Sequence, residues 1–297
     1  MQIQPCGPLR GEITVPGDKS ISHRAVMLGA LANGTTHITG FLMGEDCLST
    51  IDCFRKMGVE INITDDEVIV EGVGLHGLEA PSEALYTGNS GTTTRLLCGI
   101  LAGQPFTVTM SGDPSIQKRP MGRVMKPLRE MGASIEGKND NFCPLTLFPS
   151  ELHGIEYRLP VASAQLKSAI LLAGLYAEGQ TTVIEPAPSR DHTERMFRAL
   201  GVEIETNGST ITLDPPEDLH AVDIAVPGDI SSAAFFLVAG AIVPGSELTI
   251  KNVGVNPTRT GVLDVLRDMG ADITESNFRD EAEPMCDLTV KYSKLHG

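Results

Sequence analysis

Val15-Pro16-Gly17-Asp18 returns 211 positions later as Val226-Pro227-Gly228-Asp229, and each copy opens a small-residue stretch with an early serine, Ser20 or Ser231, that reads as a helix. A chain that writes one helix entrance twice is built from copies of a unit. Two more entrances lie between them: Gly88-Asn89-Ser90-Gly91-Thr92 before Thr93-Thr94-Arg95-Leu96-Leu97, and Val161-Ala162-Ser163-Ala164-Gln165 before Leu166-Lys167-Ser168-Ala169. The period is close to 70 residues.

The rest of the unit repeats with it. Each entrance helix ends in a glycine (Gly34, Gly103, Gly179, Gly245) followed by a short β-type run, such as Thr35-Thr36-His37-Ile38 or Thr181-Thr182-Val183-Ile184. Second helices follow, from Asp46 to Met57-Gly58, Met121 to Met131-Gly132, Asp191 to Leu200-Gly201 and Thr258 to Met269-Gly270. Glycine just past the last apolar residue is a helix stop, because glycine takes the left-handed conformation without steric cost. Beyond each stop comes a run alternating with the period of a half-buried strand, for example Val59-Glu60-Ile61-Asn62-Ile63 and Val202-Glu203-Ile204-Glu205. With a lead-in strand such as Gly11 to Val15, the unit is βαβαββ, present four times. The fold class is therefore α/β (α+β), with a few units gathered around a shared helical core.

Bulk composition allows about two domains in 297 residues. With 41% hydrophobic residues, no tryptophan and 4% aromatics, the core is aliphatic. Residues Met1 to Val15 do not read as a secretory leader, and the longest apolar run, Ala233 to Val243, is too short to cross a bilayer, so the expectation is a soluble cytoplasmic protein. Cys6, Cys47, Cys53, Cys98, Cys143 and Cys286 have neither zinc-site nor disulfide-framework spacing and read as reduced thiols. A net charge of −15 disfavours nucleic acid and anionic membrane as partners. Cationic clusters on such a background stand out.

The clusters fall at the helix entrances. In Asp18-Lys19-Ser20-Ile21-Ser22-His23-Arg24, Ser20 and Arg24 lie one turn apart on one helical face with Lys19 at the tip. A helix start supplies unpaired N–H groups and the positive end of the macrodipole, so an added ammonium, hydroxyl and guanidinium make a site for phosphate or carboxylate. Asp18 or Ser20 acting only as a helix cap is the plainer reading. Against it stand the glycine- and hydroxyl-rich second entrance, the cations Lys118-Arg119 before Pro120, and Ser163-Ala164-Gln165 with Ser189-Arg190-Asp191 in the third unit. Gly17-Asp18-Lys19-Ser20 is not a P-loop, since the aspartate interrupts the Gly-Lys-Ser run. His192 and Glu194, two apart on a helix, do not share a face as metal ligands would.

These stretches, Gly17 to Arg24, Gly88 to Arg95, Lys118-Arg119-Pro120-Met121 and Val161 to Ala169, resemble the 5-enolpyruvylshikimate-3-phosphate synthase family, in order along the whole chain. The resemblance implies the enolpyruvyl transferase fold (inverse α/β prism): a complete domain of three units over residues 18–227, and a second, incomplete domain from residues 1–17 with 228–297. It implies transfer of the enolpyruvyl group of phosphoenolpyruvate to the 5-hydroxyl of shikimate 3-phosphate, with release of phosphate and without metal or organic cofactor. Carried over by motif, Lys19 touches both substrates and is the acid or base candidate. Ser20, Arg24, Ser163, Ala164, Gln165 and Arg190 hold shikimate 3-phosphate. Asn89, Gly91, Arg119 and again Gln165 hold phosphoenolpyruvate. Ser163-Ala164-Gln165 and Ser189-Arg190-Asp191 are similar to the branch often tolerant of glyphosate.

Family chains continue for two more units that carry further catalytic residues, so the expectation is a C-terminally truncated chain lacking part of the active site. Full-length members are expected to be monomers, whereas an open apolar face here invites self-association. Two other functions fit the same motifs. One is the related transferase acting on UDP-N-acetylglucosamine, whose usual Lys-Asn at the first entrance is Lys19-Ser20 here. The other is a non-catalytic phospholigand-binding fragment.

Overall fold

A computed structural model describes residues 7–297 of the chain, so the expectations for Cys6 and the first residues lie outside the described part. Four βαβαββ units follow one another. The first comprises β1 (Arg10–Thr14), α1 (Lys19–Leu31), β2 (Asn33–Thr39), α2 (Glu45–Lys56), β3 (Glu60–Ile63) and β4 (Glu67–Val73). The second comprises β5 (Leu85–Tyr86), α3 (Gly91–Ala102), β6 (Val108–Ser111), α4 (Gly122–Glu130), β7 (Ser134–Lys138) and β8 (Phe142–Phe148), with a 3-10 turn at Ile116–Lys118 ahead of α4. The third comprises β9 (Glu156–Arg158), α5 (Ala164–Gly174), β10 (Thr181–Ile184), α6 (His192–Ala199), β11 (Ile204–Asn207) and β12 (Thr210–Leu213). The fourth comprises β13 (Ile224–Ala225), α7 (Ile230–Ile242), β14 (Glu247–Gly254), α8 (Gly261–Asp268), β15 (Asp272–Asp280) and β16 (Pro284–Lys291).

The four helix-stop glycines, Gly58, Gly132, Gly201 and Gly270, all have φ between +88° and +103°. That conformation costs a residue with a Cβ about 1–2 kcal/mol, which is why the sequence signal recurs at these points. Pro120 lies just outside α4, whose N-cap is Met121.

Each sheet has four strands, ordered lead-in, second, fourth, third within the unit. In the second and third units the lead-in strand pairs in parallel with its own unit, β5 with β6 and β9 with β10. The first and fourth units exchange theirs. β1 pairs in parallel with β14, from Arg10↔Glu247 to Thr14↔Lys251, and β13 edges the sheet of β2, β4 and β3.

The chain divides into two compact units. The smaller holds residues 7–18, 40–42 and 225–297; the larger holds residues 19–39 and 43–224. In the smaller, the two Val-Pro-Gly-Asp copies are bonded to each other: the Asp18 N–H donates to the Pro227 carbonyl (2.8 Å) and the Asp229 N–H to the Pro16 carbonyl (2.9 Å). A Cβ on Gly17 would lie 2.0 Å from the Gly40 carbonyl oxygen, so no larger residue fits this crossing.

The core of the larger unit is built on α1, α3 and α5, whose residues are buried almost all round. α3 and α5 approach so closely that a Cβ on Gly99 would sit 2.2 Å from the Ala169 carbonyl oxygen. The smaller unit packs Ile230, Ala233, Leu237 and Ala241 of α7 and Leu263 and Leu266 of α8 with Leu248, Ile250, Leu288 and Val290 of its sheet. The other side of α7 exposes Phe235 (79%), Phe236, Val238 and Ile242. Cys47, Cys53, Cys98, Cys143 and Cys286 are buried and in no disulfide, and burial pushes the Cys53 thiol up to about 12. No helix among the described residues is long and apolar enough to cross a membrane.

Candidate anion-binding site

The functional residues read from the sequence all belong to the larger unit and sit at or next to helix N-termini, except Arg24, which lies one turn into α1. Ser90 and Ser163 are the N-caps of α3 and α5: Ser90 Oγ accepts the Thr93 N–H (3.1 Å) and Ser163 Oγ the Leu166 N–H (3.4 Å). Such caps hold the first turns in place and leave neighbouring N–H groups directed outward.

Around the tips of α3 and α5 the arrangement is cationic. Gln165 ties the two together, its Oε1 accepting from Arg95 Nη1 (3.0 Å) and its Nε2 donating to Thr92 Oγ1 (3.0 Å). Arg119 Nη2 donates to Asn89 Oδ1 (2.9 Å). Gly91 lies between the guanidinium groups: a Cβ there would be 2.7 Å from Arg95 Nη1 and 3.2 Å from Arg119 Nη1. A cavity of about 450 Å³ opens beside them, lined by Arg95, Pro120, Arg123, Val124, Ser163, Gln165 and Leu166, with no carboxylate in the lining. Burial, then the like charge of Arg119, pulls the Arg95 guanidinium below its ordinary value. Arginines that repel one another and bond here only to amides and carbonyls are suited to receiving an anion.

At the tip of α1, Lys19 Nζ is ion-paired with Asp46 of α2. Ser20 Oγ accepts from Arg190 Nη1 (3.2 Å), which brings the loop before α6 to α1. Arg24 lies one turn deeper and is 4% exposed. Its donors reach Ser20 O (2.9 Å), Ser168 Oγ (2.7 Å) and Thr193 Oγ1 (2.7 Å), binding α1 to α5 and α6. A buried hydroxyl chain links the other helices: His23 Nδ1 to Thr50 Oγ1 (2.7 Å), Thr50 to Thr93 (2.8 Å), and Thr93 to Ser90 Oγ (2.7 Å).

Residues 3–296 match the EPSP synthase (3-phosphoshikimate 1-carboxyvinyltransferase) family. The chain belongs to the EPSP synthase family. The 3-phosphoshikimate 1-carboxyvinyltransferase of Geobacillus thermodenitrificans is 62% identical over 291 residues, which are 97% of this chain and 67% of that protein. That of Bacillus anthracis is 58% identical over 298 residues, 99% of this chain and 70% of that protein. The solved EPSP synthase of Acinetobacter baumannii superposes with a TM-score of 0.95 at 53% identity, covering 99% of this chain and 67% of its own. The chain thus spans about two thirds of the length of these relatives, and the expected EPSP synthase fold of repeated α/β units is the one observed.

Within this EPSP synthase fold the predicted residues fall into two groups. Asn89, Gly91, Arg119 and Gln165 gather around Arg95; Lys19, Ser20, Arg24 and Arg190 gather around the start of α1. Ser163 and Ala164 share the tip of α5 with Gln165, and Ser168 one turn further along carries the link to Arg24. Sequence reasoning passed over Arg95, Arg123, Thr92 and Asp46 as site residues. Arg95 had a signal: it stands four residues after Gly91, the same one-turn relation that singled out Arg24 after Ser20. Asp46 had none beyond its place in the first turn of α2. Among the described residues no cluster of three or more His, Cys, Asp or Glu is placed to hold a metal ion.

Proposed function

We propose that the helix-tip site of the larger unit binds shikimate 3-phosphate and phosphoenolpyruvate, and that the protein serves enolpyruvyl transfer from the second to the first with release of phosphate. The observation that carries this is the Arg95–Gln165–Thr92 bridge: an amide held between two units, with arginines on one side and a hydroxyl on the other. In this reading Lys19, Ser20, Arg24, Ser163, Ala164, Gln165 and Arg190 hold shikimate 3-phosphate. Lys19, Asn89, Gly91, Arg119 and Gln165 hold phosphoenolpyruvate.

The chemistry asks for these groups. The 5-hydroxyl adds to C2 of phosphoenolpyruvate while C3 takes up a proton, giving a tetrahedral ketal; loss of a C3 proton and of phosphate then leaves the enol ether. Both steps gather two phosphates and a carboxylate in one place, where fixed cationic donors offset their repulsion and hold the reacting atoms in register. Lys19, an ammonium at a helix tip paired with Asp46, is the titratable group we assign to proton transfer.

Calorimetric titration with shikimate 3-phosphate, followed by a phosphate-release assay with phosphoenolpyruvate added, tests the reading. Heat with phosphate release supports the full reaction. Heat alone supports a second reading, a binding unit without turnover, which the concentration of all these residues in the larger unit favours. Absence of heat with either ligand overturns both. UDP-N-acetylglucosamine is the control acceptor, and Ser20 at the position after Lys19 favours its giving no heat.

Cytoplasmic placement belongs to the same reading, supported by five buried thiols that form no disulfide. So does self-association, through a second copy meeting the exposed face of α7. The counterparts of α7 in the larger unit are covered by helices of sister units, which is the kind of surface a second copy supplies.

A further inference from the structure

Lys167 is 1% exposed, a rare place for a lysine, and the chemistry above makes no use of it. Its Nζ lies 2.9 Å from Glu185 Oε2 and 2.6 Å from Glu194 Oε1, both carboxylates being almost fully buried. Replacing a buried ion-pair cluster of this kind with apolar residues is often neutral or stabilising, so stability alone does not account for it. Its placement does. Glu185 directly follows β10 and Glu194 lies in the first turn of α6, so one ammonium from α5 grips both flanks of the loop between them. That loop carries Ser189 and Arg190. Ser189 Oγ donates to Glu185 Oε1 and its N–H to Glu185 Oε2 (3.4 Å), while Arg190 reaches across to Ser20. Lys167 is also two residues along α5 from Gln165, so the grip fixes the loop relative to that helix tip.

We propose that Lys167, Glu185, Glu194 and Ser189 are positioning residues: a buried clamp that holds Arg190 at the tip of α1 so that its guanidinium meets the phosphate of the acceptor substrate. The clamp touches no substrate and acts through Arg190. This rests on the assignment of Arg190 to shikimate 3-phosphate, and two readouts keep the two ideas separable.

The first readout is amide hydrogen exchange of Ala187, Ser189, Arg190 and Asp191 without ligand. Ser189→Ala removes one hydroxyl at a partly exposed position, leaves the charged cluster intact, and is expected to speed exchange of this loop about tenfold while the rest of the larger unit is unchanged. Ser189→Thr restores a hydroxyl and is expected to return exchange to the wild-type rate. The second readout is shikimate 3-phosphate affinity in a double-mutant cycle. Ser189→Ala alone is expected to weaken binding about tenfold, and less than twofold when Arg190 is already alanine. Loop exchange within twofold of wild type in Ser189→Ala overturns the clamp, whether or not the ligand binds. Faster exchange with additive effects on affinity overturns its action through Arg190. Faster exchange in a wild-type background that binds no shikimate 3-phosphate upholds the clamp and removes the assignment of Arg190. Lys167→Met, checked for fold by circular dichroism, is expected to move both readouts at least as far as Ser189→Ala; movement of neither overturns the role of Lys167.

Discussion

α1 and α7 are copies: each has 13 residues and each follows Val-Pro-Gly-Asp, yet their surroundings differ. α1 buries every residue from Ile21 to Leu31, including His23 and Arg24. α7 buries only Ile230, Ala233, Leu237, Gly240 and Ala241, a single stripe against its own sheet, and turns Phe235, Phe236, Val238 and Ile242 outward. A helix apolar on all sides normally marks a buried element. One βαβαββ unit therefore covers one stripe of its leading helix, and sister units cover the rest. The tips differ as well: Lys19 follows the repeated aspartate in the first copy and Ile230 in the fourth, so only the first is cationic.

The strongest challenge to this contrast is a cavity in the fully enclosed helices. Leu97 on α3 is completely buried, so Leu97→Ala is expected to cost about 2–5 kcal/mol in urea unfolding. A cost near zero would mean that the larger unit is not packed as its first helices indicate. Next in size is the exchange of tips. Lys19→Ile, which makes the first entrance like the fourth, is expected to weaken shikimate 3-phosphate binding by about tenfold or more, since a charge-assisted contact is worth about 1.5–3 kcal/mol. The converse Ile230→Lys should leave that affinity unchanged, because the arginine at the tip of α7, Arg259, is already bonded to Asp229 and Ser231.

A smaller effect sharpens the contrast in charge, for α7 has no ionisable residue while α5 buries Lys167. Burial pushes the Glu194 carboxyl above its ordinary 4.5, against the opposing pull of Lys167. The folded protein then binds more protons than the unfolded chain just above pH 4.5, so this group's contribution to stability is present below that pH and is lost as pH rises through the folded value. Glu194→Gln should flatten that slope in denaturant unfolding measured across the range; an unchanged slope would assign the carboxyl an ordinary value. Smallest is Phe235→Ser on the open face of α7. It should alter stability by less than about 0.5 kcal/mol, while sedimentation over a tenfold concentration range should show weaker self-association than wild type. A large loss of stability instead would mean that Phe235 is covered in solution.

Much of the architecture could be read from local chemistry. Gly58, Gly132, Gly201 and Gly270 announce four helix ends because the left-handed turn excludes other residues, and the alternation after each announces a strand. Local chemistry does not show the exchange of β1 and β13, since a lead-in strand has the same sequence pattern whichever unit it joins and its partner is set by packing far along the chain; only the family resemblance groups residues 1–17 with 228–297. The site divides in the same way. Lys19, Ser20, Asn89, Arg119 and Gln165 stood out as polar residues at helix starts, a local property. Asp46 and Lys167 become visible only when the helices are assembled, because their partners Lys19 and Glu185 lie 27 and 18 residues away; Arg95 stands one turn after Gly91, but its bond to Gln165, 70 residues on, is likewise set by assembly. Arg24 was legible as a cation one turn from Ser20, but its burial against Ser168 and Thr193 was not.

The pairing of β1 with β14 also bears on synthesis. Leu9, at the edge of β1, bonds to Ser246, 237 positions on. At about 5–20 residues per second, β1 waits roughly 12–50 s after leaving the ribosome for its neighbour, while the whole larger unit can mature in the interval. β1 is thus enlisted long after it is made, and a nascent chain arrested before Glu247 would carry it as an unclaimed strand.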